Sequence, residues 1–276
     1  MKDNKEIKDF VKEKYASILN QPQSDNKSCC GGGSCSGVDY TIFSEDYSSL
    51  KGYNPEADLG LGCGLPTEFA LIKEGDVVID LGSGAGNDAF VARAITGENG
   101  KVIGIDFTEE MVKKSTENAA KLGLNNVNFI LGDIENIPLN TDLADVIVSN
   151  CVLNLVPDKN KAFREIFRVL KPGGHFSVSD IVASGELPES LRSAAELYAG
   201  CVAGVIKKEE YLEIIENTGF ENIRVQKERI ISIPDDIFLN SISENDLINF
   251  KKSGVNLISI NVYAEKPEPY LDSGCC

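Results

Sequence analysis

The chain has 276 residues, 42% hydrophobic and 25% charged, the composition of an ordinary soluble protein with one large domain or a core domain plus a smaller one. Its 43 acidic and 27 basic side chains leave a formal charge of −16, which argues against nucleic acid, an anionic membrane surface or a highly anionic substrate. A neutral or cationic small molecule is unaffected or helped by such a field.

The first predicted element is a charged amphipathic helix over 4–19; its stretch MKDNKEIKDFVKEKY lacks the apolar segment of a signal peptide. No apolar run approaches the roughly 18 residues of a membrane span, so the expectation is a cytoplasmic protein. QPQSDNKSCCGGGSCSG then reads as a flexible loop. Residues 40–66, broken by Gly and Pro, read as a lid and not a packed element, with Tyr40, Phe43 and Tyr47 either covering a ligand or packing locally.

From residue 77 strands and helices alternate: VVIDL, DAFVARAI, KVIGI, EEMVKKSTENAAKLG, VNFIL, DVIVSN, KAFREIFRVL and HFSVSDIV. Short apolar strands separated by amphipathic helices predict βαβ units and a parallel sheet. KPGG stops a helix and opens a tight turn, which makes His175, the single histidine, a turn residue and not a catalyst. Residues 184–219 read as helical, followed by two late strands, FENIRVQ and NLISINVYAEK, with a helical turn near ENDLINF. The expected division is an N-terminal helix and Cys/Gly-rich lid segment (1–65), a Rossmann-like cofactor domain (66–183) and a C-terminal substrate-binding segment that includes the last strands (184–276).

VIDLGSGAGND places Gly82, Gly84 and Gly86 between a strand and a helix, where glycines let backbone N–H groups approach a ligand closely. The spacing differs from the G-x-G-x-x-G of dinucleotide folds. Asp80 precedes the loop, where a carboxylate can face a cationic ligand such as S-adenosylmethionine. Asp106 ends the second strand, placed to accept both hydroxyls of a ribose. Asp133 ends the third, placed to accept from an adenine amino group, with Ile134 beside it to pack on the ring. Phe107, Met111 and Asn150 complete the candidate cofactor set; for Asn150 plain turn chemistry is the alternative.

Eight cysteines accompany two methionines and one histidine. In a cytosolic chain of this length they point to metal chemistry or catalysis. Cys151 follows the fourth strand, where an open α/β sheet keeps its ligands. Cys63, in LGLGCGLP, sits in a glycine-rich loop, a poor place for core packing, and Cys201, in YAGCVAG, ends a helix crossing the ligand face. Any one of them alone is as readily a small buried hydrophobe. Three thiols from separate segments at one site make a trigonal cage for a thiophilic ion. Structural zinc wants four ligands, commonly on paired C-x-x-C arms that are missing here. Trivalent arsenic takes three sulfurs and keeps a lone pair, itself a nucleophile that needs no general base.

The glycine loop with its three strand-end acids resembles the class I S-adenosylmethionine-dependent methyltransferases over about residues 70–182. YNPEADLGLGCGLPT, VIDLGSGAGND, SNCVLNLVPDK and YAGCVAG together resemble the arsenite methyltransferase family over roughly 35–215. The resemblance implies a seven-stranded, mostly parallel sheet with an antiparallel last strand, S-adenosylmethionine as methyl donor and arsenite as substrate. It implies roles for Cys35, Cys63, Cys151 and Cys201, with Cys63, Cys151 and Cys201 holding arsenic. It also implies a Cys35–Cys63 disulfide reset by thioredoxin or a small thiol such as glutathione. Cys29–Cys30 and Cys275–Cys276 lie outside the matching core, either as arsenic collectors or as exposed thiols. The rival functions are methylation of a small organic acceptor, such as a quinone precursor or sterol, and thiol-based arsenic binding without turnover. A monomer is expected.

Overall fold

The chain is described here from a computed structural model, which covers residues 4–19, 44–192, 204–240 and 242–269. Seven strands form one sheet: β1 (Val77–Leu81), β2 (Lys101–Asp106), β3 (Val127–Leu131), β4 (Ala144–Asn150), β5 (Leu170–Ala183), β6 (Glu221–Ile231) and β7 (Leu257–Glu265). The described helices are α1 (Asn4–Leu19), α2 (Pro66–Phe69), α3 (Asn87–Thr96), α4 (Glu109–Lys121), α5 (Lys159–Val169), α6 (Glu189–Arg192), α7 (Lys208–Thr218), α8 (Asp235–Leu239) and α9 (Glu244–Ser253).

The strand order is β3-β2-β1-β4-β5-β7-β6. The first five strands pair in parallel, and β7 runs antiparallel to both its neighbours, β5 and β6. The parallel strands follow the alternating pattern, and the seven-stranded sheet with an antiparallel last strand is the one the resemblance implies.

β1 and β4 are rich in buried Val and Ile because helices cover both faces of the sheet. On one face Ala89, Phe90 and Ala92 of α3 and Ala119 of α4 pack on Val78, Val102, Val146 and Val148. Alanines let these helices lie close to the strands. On the other face Phe163 and Ile166 of α5 and Tyr211 and Ile215 of α7 cover Ile79, Ile147, Phe176 and Val262. A third apolar cluster sits beyond the strands' carboxyl ends, bringing Val11 of α1, Leu191, Phe238 and Phe250 around Cys63 and Cys151.

Several local expectations change. Residues 44–65 are not a loose lid: Tyr47 and Leu65 pack on Val91 of α3. Within 184–219 the described helix covers only α6 and α7, and the predicted turn near ENDLINF is the ten-residue α9. His175 lies inside β5 and not in a turn, because the ladder with β7 continues to Glu265; its ring nitrogen meets the Ala70 carbonyl at 2.6 Å.

β1 lies between β2 and β4, so the strand order reverses there. The crevice beyond the carboxyl ends of β1 and β4 is where an open α/β sheet takes its ligand.

Candidate functional site

A pocket of about 1070 Å³, measured out to its open mouth, occupies that crevice. Its wall includes Gly82, Gly84, Asp88, Asp106, Phe107, Met111, Asp133, Ile134, Asn150 and Cys151, together with Lys8 and Tyr15 of α1 and Tyr47.

The loop after β1 is built for close approach. Gly84 has φ +50°, and a Cβ there would meet nothing within 4 Å, so the backbone presents bare N–H and Cα to the pocket. Gly86, at φ +102°, turns away instead: a Cβ there would come within 2.9 Å of both Phe90 and Phe129. The second and third glycines thus serve different masters, Gly84 the ligand and Gly86 the join between helix α3 and the sheet.

The acids do not play one role. Asp106 accepts from the N–H of Gly84 (3.0 Å) and of Thr108 (2.9 Å), so it clamps the loop while lining the pocket. Burial raises its carboxyl, and the same N–H bonds oppose the shift. Asp80 is buried beneath the loop and is not part of the pocket wall, contrary to the expectation that it faces the ligand. One of its carboxylate oxygens has no hydrogen-bond partner. Burial, with the charges of Asp88 and Asp106, pushes its carboxyl well up. Asp133 does reach the pocket, but Lys8 of α1 donates to its Oδ2 at 2.5 Å and also to Glu135, and the Glu135 N–H occupies its Oδ1. A lysine from the N-terminal helix therefore shares with Asp133 the end of the pocket where adenine is expected.

Asp88 was not among the residues singled out from the sequence. It is half-buried in the pocket wall, with the Tyr47 hydroxyl donating to it at 2.9 Å and the Asn150 amide at 3.2 Å. Burial carries its carboxyl up to about 6 against these bonds. Asp88 and Asp106 in the wall of one crevice fit a ligand that brings a positive charge and hydroxyls, as S-adenosylmethionine does.

Asn150 lines the pocket, yet its amide is spent largely on the neighbouring loop. Its Oδ1 accepts from the N–H of Cys63 (2.9 Å) and of Gly64 (3.3 Å), and its Nδ2 donates to the Gly64 carbonyl (2.8 Å). The loop descends so far that a Cβ on Gly62 would meet Asn150 at 2.5 Å and one on Gly64 would meet Ser179 at 2.6 Å. Glycines here bury Cys63 completely, the reverse of the expectation that such a loop packs poorly.

Cys151 follows β4 with φ 60°, a left-handed conformation uncommon outside glycine. Its N–H donates to the Ser179 carbonyl at 2.7 Å. The turn brings its thiol to Cys63 and to Asp180 of β5: the two sulfurs and one carboxylate oxygen lie within 4.8 Å of one another, all buried. Asp180, also missed in the sequence, accepts from the Tyr211 hydroxyl at 3.2 Å, and burial raises its carboxyl to about 7. Cys201 and Cys35, like Cys29, Cys30, Cys275, Cys276, Tyr40 and Phe43, lie outside the described residues.

A thiol pair thus opens through Cys151 onto an acid-lined crevice. Residues 72–219 match the model of the methyltransferase domain family. The arsenite methyltransferase of Halobacterium salinarum is 36% identical over 279 residues, covering 96% of this chain and 68% of that protein. The chain belongs to the arsenite methyltransferase family. The mouse arsenite methyltransferase is 38% identical over 181 residues, 62% of this chain and 48% of its own length, so this chain spans about half of that relative. Among solved structures, the arsenic(III) S-adenosylmethionine methyltransferase of Chlamydomonas reinhardtii superposes with a TM-score of 0.65 at 33% identity, over 76% of this chain and 68% of that one. Membership makes S-adenosylmethionine the methyl donor of this fold, in keeping with its acid-lined pocket. Among the described residues no helix is long and apolar enough to cross a membrane.

Proposed function

We propose that this chain transfers a methyl group from S-adenosylmethionine to trivalent arsenic held by Cys63, Cys151 and Cys201. The observation that carries the reading is the buried Cys63–Cys151 pair, with Cys151 in the wall of the pocket. S-adenosylmethionine, when bound, supplies an electrophilic methyl group for the arsenic lone pair.

On this reading the chain's own residues position and exclude. Gly82, Gly84 and the clamp on Asp106 shape the cofactor cradle, with Phe107, Met111 and Ile134 as its apolar wall. Asp88, in the pocket wall, answers the positive charge. Asn150 fixes the Cys63 loop against the strand end, and the apolar cluster around the two thiols keeps water from the arsenic. Positioning of this kind is worth several kcal/mol, up to about 7–11 in the best intramolecular cases. No general base is required, because arsenic brings its own electron pair.

Forming the arsenic–carbon bond from that pair leaves arsenic pentavalent. The Cys35 thiol then attacks the arsenic-bound sulfur of Cys63: an S–S bond forms, the As–S bond breaks with its electron pair left on arsenic, which returns to the trivalent state, and one proton is released from Cys35. Thioredoxin or glutathione then reduces the disulfide, as thiol exchange permits. The protein works as a monomer in the reducing cytoplasm.

The test is methyl transfer from labelled S-adenosylmethionine to arsenite with a thiol reductant present. Methylated arsenic formed by the wild type, and lost in both Cys151→Ser and Cys201→Ser, supports the reading. No transfer to arsenite despite measurable binding of S-adenosylmethionine redirects it to an organic acceptor, activity retained in both variants removes the two thiols from the arsenic site, and failure to bind S-adenosylmethionine points to a sequestering protein.

A further inference from the structure

We infer that Asp180 supplies the counter-charge of methyl transfer: its carboxylate, beside Cys63 and Cys151, stabilises the positive charge that passes from the sulfur of S-adenosylmethionine to arsenic. The inference rests on the reading above that arsenic, held by three thiolates, is the acceptor.

Arsenic bound to three thiolates is neutral and keeps one lone pair. That pair forms the As–C bond, while the C–S bond of the sulfonium breaks with its electrons left on sulfur. The cofactor's sulfur becomes a neutral thioether. Arsenic, formally oxidised from trivalent to pentavalent, now carries one positive charge. It keeps that charge until Cys35 attacks the bound sulfur of Cys63. A cation formed inside an apolar enclosure is costly unless an anion stands beside it.

Asp180 is such an anion. It is fully buried, and one of its carboxylate oxygens lies with the sulfurs of Cys63 and Cys151 in a group whose members are within 4.8 Å of one another. Leu155, Ile181, Leu191 and Val205 pack in the same cluster as the two thiols, so little water screens a charge there. The placement follows from the sheet. Ser179 pairs in register with Asn150, so the next residue of each segment, Asp180 and Cys151, arrives at the same level. The Tyr211 hydroxyl donates to Oδ2 of Asp180 at 3.2 Å and the Ile181 N–H to Oδ1 at 3.2 Å, which fixes the carboxylate before any reaction. Burial raises the carboxyl to about 7, and Lys159 with these two donors favours the charged form. Asp88 lies in the pocket wall and Asp180 behind Cys151, outside that wall. Asp88 thus answers the charge where it starts, and Asp180 where it arrives. A fixed charge nearer the end of the transfer than its beginning lowers the barrier without tightening the substrate.

The experiment is single-turnover formation of S-adenosylhomocysteine by the reduced full-length protein at pH 8, with arsenite and S-adenosylmethionine both saturating. Equilibrium dialysis of arsenite and calorimetric titration of S-adenosylmethionine accompany it. The proteins are wild type, Asp180→Asn and Asp180→Ser, and the variant that keeps both ligands is the one whose rate is read. Expected is a roughly tenfold or greater fall in that rate with both affinities held within about twofold. An unchanged rate overturns the inference. Loss of arsenite or cofactor binding in both variants overturns it equally, because a purely structural role produces that result. Wild-type protein that binds S-adenosylmethionine but forms no S-adenosylhomocysteine with arsenite overturns the arsenic reading itself, before any substitution is made.

Discussion

At the scale of single residues, the pocket concentrates ionisable groups whose burial has consequences for pH. Asp88 titrates at about 6 in the folded chain against 3.8 in an exposed state, so the folded state holds its proton more tightly than the unfolded one. Stability of the ligand-free protein is then expected to fall as pH rises from about 4 to about 6, and this contribution levels off above that window. Urea unfolding across pH 4.5–8 checks it, with Asp88→Asn flattening that part of the curve. The same ionisation should help a cationic ligand. Calorimetric titration with S-adenosylmethionine is expected to show binding tightening between pH 5 and pH 7 in the wild type and little pH dependence in Asp88→Asn. Asn150 makes a separate prediction. Its amide holds the N–H groups of Cys63 and Gly64. Asn150→Ala should therefore cost about 1–3 kcal/mol of stability for the buried groups left unpaired, and lower methyl transfer further still, read by thermal unfolding beside the labelled assay.

Elements carry the next level of argument, because the loop after β1 and helix α1 each contribute to the pocket through their backbone path. Gly84 and Gly123 both have positive φ (+50° and +67°), and a Cβ on either meets nothing within 4 Å. Gly84→Ala and Gly123→Ala should each destabilise by about 1 kcal/mol through the left-handed backbone. Only the first places a methyl group in the pocket wall, so only the first should weaken S-adenosylmethionine binding in calorimetry. Helix α1 is fastened by Lys8 to Asp133 and Glu135. Replacing Lys8 with Met removes that fastening while keeping the aliphatic stem. Hydrogen exchange in α1 is expected to speed up, and the cofactor's dissociation rate with it; unchanged exchange would separate α1 from pocket closure.

For the molecule as a whole, the net charge of −16 acts on every surface at once. Salt screens that self-repulsion, so the unfolding midpoint should rise between about 0.01 M and 0.15 M ionic strength, across which the Debye length falls from about 30 to about 8 Å. Neutral arsenite should bind with little dependence on salt over the same range. Opposite behaviour, a midpoint that falls as salt is added, would mean that attractive pairs such as Lys121–Glu56 and Lys251–Asp235 outweigh the repulsion.

The strands β1 to β5, the glycine loop and the strand-end position of Cys151 were all legible in the sequence, since each depends on a short local pattern: an apolar run, a Gly spacing, a residue just past a strand. The family likeness rested on the same local motifs. Tertiary structure alone decided how the site is assembled. Tyr47 meets Asp88 across 41 positions, Asn150 meets Cys63 across 87 and Lys8 meets Asp133 across 125. No periodicity links such partners, because their approach follows from the sheet order and from loops that cross its carboxyl edge. Asp180 reads in sequence as one polar residue within HFSVSDIV, and Cys63 as a thiol in a loose glycine loop. Only the register of β4 against β5, and the close descent allowed by Gly62 and Gly64, turn them into neighbours in a buried cluster with Cys151.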